Sequence, residues 1–140
     1  MKMRIWIVVS ACVLAGVFVL PGLATGHKSS VKTVTFRMVE WDTLPTTSTK
    51  APPGKVTFVV KNAGKLKHEF VVIKTSKAAG NLAPASATEA PEKGAVGEIE
   101  GILPGKVKQL RLTLSKGHYA LICNLPRHYG NGQFVDFYVR

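Results

Sequence analysis

The chain has 140 residues, with 19 Lys or Arg against 8 Asp or Glu and a formal charge of +11. That length supplies one sandwich or barrel core. The lysines (Lys28, Lys32, Lys50, Lys55, Lys61, Lys65 and others) are scattered without a run of like charge. This argues for an acidic protein or an anionic membrane surface as partner and against nucleic acid.

The chain opens on a leader. Lys2 and Arg4 precede an apolar run from Ile5 to Leu20, which Pro21-Gly22 and small residues follow. This is the three-part layout of a secretory signal peptide over residues 1–26, with cleavage expected after Ala24 or Gly26. The alternative is an uncleaved membrane anchor, although the run falls short of the roughly 20 apolar residues that span a bilayer. Cys12 lies inside the run and reads as a small apolar residue of the signal. Cleavage leaves Cys123 as the one cysteine of residues 27–140, so no intramolecular disulfide can form. A single thiol in an oxidising, exported compartment points to metal ligation or to burial.

Beyond the leader the chain reads as short strands separated by Gly/Pro turns. Residues 31–41 (VKTVTFRMVEW) alternate and are rich in β-branched side chains, and LPTTSTKAPPGK reads as turn and loop. VTFVVKN (56–62) and HEFVVIKT (68–75) are strands, the second opening on His68. Residues 76–95 are rich in Ala, Pro, Gly and Ser and lack an apolar face. They are expected to form an exposed, flexible loop with one helical turn near 86–90. VGEIEGI (96–102) and VKQLRLTL (107–114) are expected to pair around a Pro-Gly turn. GHYALICN (117–124) and QFVDFYVR (133–140) complete seven to eight strands, the pattern of an all-β antiparallel sandwich. Trp41 and Phe36, Phe58, Phe70, Phe134 and Phe137 read as core. His118 reads as a strand end facing water, and Glu69 as a solvated strand residue.

The stretch CNLPRHYGNGQF (123–134) concentrates the chemistry. Taken singly, Cys123 reads as a buried hydrophobe, His128 as a solvated loop residue and Gln133 as an edge residue. Taken together, a strand, a short loop and a strand can bring all three to one point. Pro126 stiffens the turn, and Gly130 and Gly132 let the backbone pass close by. His68 supplies a fourth group from an earlier strand. Two imidazoles, one thiolate and a weak axial group form the His₂Cys donor set of blue copper. Structural zinc would instead call for two or more cysteines at CxxC spacing. Asn124, beside Cys123, is suited to tying the two ligand loops together. His27, as a mature amino terminus, is a lesser copper candidate.

HEFVVIK, GEIEGILPGK and GHYALICNLPRHYGNGQF resemble the small exported cupredoxins, sulfocyanin-like and plastocyanin/azurin-like. The C-x4-H-x4-Q spacing resembles that of stellacyanin-type phytocyanins. The resemblance covers most of residues 56–140 and implies a cupredoxin-like Greek-key β-sandwich with one type 1 copper, Cu(II)/Cu(I), per chain. It places His68, Cys123 and His128 as equatorial ligands and Gln133 in the axial position. Exported bacterial relatives usually carry methionine at that position. An amide oxygen is a harder donor and favours Cu(II), so Gln133 is expected to lower the reduction potential. Arg127 stands where those relatives commonly have glycine, and its charge is expected to act in the opposite direction.

These readings lead to an electron-transfer protein, exported to the periplasm or another extracytoplasmic space, monomeric and not an enzyme by itself. His128 is the expected electron exit, rimmed by Leu125 and Tyr129, and the expected redox partners are acidic proteins. The competing reading is a copper carrier or sequestering protein that uses the same ligands.

Overall fold

A computed structural model describes residues 31–140 of the chain. Among them are nine strands: β1 (Lys32–Val39), β2 (Asp42–Pro45), β3 (Lys50–Ala51), β4 (Gly54–Asn62), β5 (His68–Lys74), β6 (Ala95–Ile102), β7 (Val107–Leu114), β8 (Gly117–Ile122) and β9 (Phe134–Val139). They form a four-stranded sheet, β2-β1-β4-β7, facing a five-stranded sheet, β3-β9-β8-β5-β6. β1 lies parallel to β4, and β3 parallel to β9; the other pairings are antiparallel.

Period-two alternation decides which side chains meet between the sheets. Val34, Phe36 and Met38 of β1 and Val56, Phe58 and Val60 of β4 are fully buried there. They meet Phe70, Val72, Leu121 and Phe137 from the other sheet. Phe36, Phe58, Phe70 and Phe137 form an aromatic centre with ring centroids 5.3 to 6.4 Å apart. β5 and β8 are apolar on both faces. Their outward residues Val71, Ile73, Ala120 and Ile122 join a second cluster with Ala79, Ala90 and Tyr129, where the segment between β5 and β6 folds over the sheet.

Several expectations are corrected. The region read as loop between β1 and β4 contributes two short strands, β2 and β3, both at sheet edges, where proline and brevity are tolerated. β6 and β7 do not pair with each other: β6 joins β5 and β7 joins β4. The Pro104-Gly105 turn, with Gly105 at φ 74° and Lys106 N–H bonded to Leu103 O at 3.0 Å, carries the chain across from one sheet to the other. The single turn of helix in the β5–β6 segment lies at Ala79–Asn81, not near 86–90. That segment is only partly exposed: Ala79 N–H donates to Asp136 Oδ1 at 2.7 Å, and Tyr129 Oη donates to Ala79 O at 2.9 Å. Trp41 is not core; it is 45% exposed on the β1–β2 turn. The leader, Cys12 and His27 lie outside the described residues. Among the described residues no helix is long and apolar enough to cross a membrane.

Candidate metal centre

Strand parity places the first two groups. His68 shares the inward face of β5 with Phe70 and Val72, and Cys123 continues the inward face of Tyr119 and Leu121. β5 and β8 are antiparallel, with Val72 opposite Leu121 and Val71 opposite Ile122. The start of one strand therefore lies beside the end of the other. Cys123 N–H donates to Gln133 O at 3.0 Å, which closes the loop between β8 and β9. Inside that loop His128 N–H bonds Leu125 O at 2.9 Å and Gln133 N–H bonds His128 O at 3.1 Å. The tight fold needs left-handed backbone at Gly132, φ 100°, and imposes it on Arg127, φ 72°, where glycine would carry no steric cost.

The four expected donors converge. Cys123 Sγ lies 3.9 Å from His68 Nδ1 and 3.2 Å from His128 Nδ1. The two Nδ1 atoms are 3.3 Å apart, and Gln133 Oε1 is 2.9 Å from His128 Nδ1. Metal–ligand bonds of about 2.0–2.3 Å place tetrahedral donors about 3.3–3.7 Å apart, so the cluster has the span of one first-row ion. His68, Cys123 and Gln133 are fully buried and His128 is 7% exposed. The donor chemistry fits a cation as well. An amide oxygen, a thiolate and two neutral imidazole nitrogens are all acceptors, and one central cation satisfies them together.

The surroundings fix each donor. Gln133 Nε2 donates to Val39 O at 2.7 Å and Asp42 O at 3.3 Å, which turns its Oε1 toward the cluster. Glu69 N–H donates to Cys123 Sγ at 3.3 Å. Glu69 is not a solvated residue: its Oε1 accepts Asn124 N–H at 2.8 Å, and burial, the largest influence, raises its pKa. Glu69 thus links the segment of His68 to that of Cys123 through both its N–H and its carboxylate. The Asn124 side chain ties elsewhere, accepting Ala90 N–H at 2.7 Å and donating to Ala90 O at 2.9 Å and Glu92 Oε1 at 2.8 Å. Burial pushes the Cys123 thiol up to about 11 in the metal-free chain, with Glu69 and Leu125 N–H groups pulling back. A bound cation reverses that preference, so loading displaces a proton. His68 is held below the ordinary imidazole range, first by burial and then by the neighbouring His128. Its Nε2 is buried with no hydrogen-bond partner, unlike the usual metal-bound histidine.

Sequence reasoning missed three contributors. Trp41 packs edge-on against His128, with centroids 5.4 Å apart and an interplanar angle of 81°. Its backbone sits at φ 68°, an outlier for a bulky residue. Asn62, fully buried, donates from Nδ2 to Leu66 O and Ile102 O, both at 2.7 Å, and accepts Gly64 N–H at 2.9 Å. Glu40 Oε1 accepts Lys65 N–H and, at 2.9 Å, Leu66 N–H. Asn62 and Glu40 together shape the 63–67 connection that delivers His68. The signal available for Asn62 was an amide ending an otherwise apolar strand. Tyr129 does not rim His128, since it is buried in the second cluster on the far side of the sheet. His118 is not simply solvated: Nδ1 pairs with Thr75 O at 3.0 Å and Nε2 with Asp136 Oδ1 at 2.8 Å.

No protein-family model matches the chain, and no curated protein matches it. Solved structures do. Auracyanin from the photosynthetic bacterium Roseiflexus castenholzii aligns with a TM-score of 0.59 at 18% identity, over 78% of this chain and 97% of that one. Auracyanin A, a "blue" copper protein from Chloroflexus aurantiacus, aligns with a TM-score of 0.59 at 20% identity, over 79% and 100%. The fold is that of a cupredoxin. Rusticyanin from Thiobacillus ferrooxidans shares it, with a TM-score of 0.55 at 18% identity over 79% and 77%. In this cupredoxin sandwich the donor cluster sits at the end where β5 begins and β8 stops.

Proposed function

We propose that the chain is an exported electron-transfer protein holding one mononuclear type 1 copper. In this reading His68, Cys123 and His128 are the equatorial ligands and Gln133 the axial one. The observation that carries the reading is the convergence of a buried thiolate, two imidazoles and an oriented amide oxygen in a cupredoxin fold. A copper ion there supplies a one-electron Cu(II)/Cu(I) couple. The chain's own contribution is to hold the donors still: Gln133 through Val39 and Asp42, Cys123 through Glu69, and the 123–133 loop through its internal hydrogen bonds. Fixed donors limit the rearrangement that accompanies a change of oxidation state.

The burial of His68, Cys123 and Gln133 keeps all three out of contact with solvent and so with a dissolved substrate, which supports a carrier over an enzyme. The same burial favours a retained ion over one handed to a chaperone. Trp41 covers His128, so a redox partner meets the centre through that aromatic rim. Residues 27–140 are the working domain in this proposal, monomeric and periplasmic or extracytoplasmic, with 1–26 as signal or anchor.

The test is a visible and EPR spectrum of the copper-loaded protein. An intense sulfur-to-copper band and narrow copper hyperfine splitting, both lost in Cys123→Ser, are expected. A colourless or pale copper complex with ordinary tetragonal EPR parameters overturns the assignment.

A further inference from the structure

Four of the lysines and arginines that the sequence disperses are gathered by the fold onto one face. On the outer face of the four-stranded sheet, Leu44, Arg37, Lys61 and Val107 stand side by side in register across β2, β1, β4 and β7. Arg111 lies opposite Thr57, and Lys55 opposite Thr113, further along the same face. Against these four exposed cations the face carries one carboxylate, Asp42, at the corner of the edge strand. Glu40, on the β1–β2 turn, accepts the Lys65 and Leu66 N–H groups; Glu69, Glu98, Glu100 and Asp136 belong to strands of the other sheet, and Glu89 and Glu92 to the segment folded over it. Among the described residues the ion pair found is His118–Asp136, on that other sheet; the four cations have no carboxylate within reach. Arg37 and Lys61 are directly opposed, a like-charge cross-strand pair that costs stability in the free protein.

We propose that this sheet face docks the protein on an anionic lipid surface. Three features favour lipid over an acidic protein. The middle of the face carries short side chains, Thr35, Thr57 and Val59, and no aromatic residue that would anchor a protein partner. Lys55 and Lys61 stand about 20 Å apart at the strand rise per residue, a spread suited to many separate phosphates. β1, which carries Arg37, begins at Lys32 soon after the apolar run that ends at Leu20, and Val31 lines a 340 Å³ groove with Lys55 and Arg111. With residues 1–26 read as signal or anchor, as proposed above, the strand that starts the face begins within a dozen residues of the apolar run. The proposal concerns a face away from the donor cluster and stands whether or not copper is bound.

The test is co-sedimentation of the full chain with vesicles of phosphatidylcholine alone and of phosphatidylcholine with phosphatidylglycerol. The leader, with its Lys2 and Arg4, is common to every variant compared, so the change in the ratio between variants reports the charged face. Each Lys or Arg near an anionic surface is worth roughly fivefold in partition, so the triple variant Arg37→Glu, Lys61→Glu, Arg111→Glu should lose at least about 100-fold at low salt. A control of equal net charge, Lys74→Glu, Lys77→Glu, Lys93→Glu, places its reversals on the other sheet and the segment beside it, and should keep most of the preference. Lysine acetylation of the wild-type protein should show Lys55 and Lys61, but not Lys77 and Lys93, protected by the anionic vesicles. Equal losses in the two triple variants, uniform protection, or no preference for anionic vesicles overturns the proposal. In the last case an acidic protein partner becomes the better reading of the face.

Discussion

Replacing Asn62 with alanine tests whether the connection before His68 is built by one buried amide. Its side chain makes three hydrogen bonds, to Leu66 O, Ile102 O and Gly64 N–H, and is fully buried. Each is worth about 1 kcal/mol net, and an Ile102 carbonyl left unpaired in the interior adds about 1–2 kcal/mol. The expected loss is therefore about 4–5 kcal/mol, a large share of a domain's stability. With a urea slope of about 2 kcal/mol/M, the unfolding midpoint should fall by about 2 M. Urea melts followed by tryptophan fluorescence measure the loss directly. The copper-loaded variant should also show a perturbed visible spectrum, because His68 follows the released segment. A loss below about 1 kcal/mol with an unchanged spectrum refutes the reasoning, and would assign the 63–67 geometry to Glu40 alone.

The axial position gives a second prediction. Gln133→Met exchanges a hard oxygen for a soft thioether, and cyclic voltammetry should show a higher reduction potential; an unchanged or lower value counts against axial coordination. Glu40 supplies the pH dependence. Its carboxylate, lowered from 4.5 to about 2 by the Leu66 and Lys65 N–H groups, contributes stability that is present above pH 4.5 and lost as pH falls toward 2. Acid melts of Glu40→Gln should lack that component, and parallel curves for the two proteins would contradict it. Trp41→Gly relieves the backbone at φ 68° while removing the cover over His128. Its urea midpoint should change little, whereas a chelator should strip copper faster than from the wild type; equal stripping rates would remove Trp41 from the site.

Much of this protein follows from its sequence alone. Alternation in residues 32–39 and 56–62 sets inward faces that no tertiary contact needs to choose, because the strand period is two. The C-x4-H-x4-Q spacing confines Cys123, His128 and Gln133 to one loop, and the strand opening on His68 supplies the fourth group. What the tertiary structure decided are relations between segments distant along the chain. VGEIEGI and VKQLRLTL look like a hairpin, but each finds its hydrogen-bond partner in a different sheet. Trp41 has a core-like composition, yet its turn places it over His128. Asn62 and Ile102 are 40 residues apart and meet through one side-chain hydrogen bond. Arg37, Lys61 and Arg111, far apart in sequence, come onto one face when β1, β4 and β7 pair. Local periodicity is written in neighbouring residues, whereas strand partners and surface charge patterns depend on which distant segments lower the free energy by packing together.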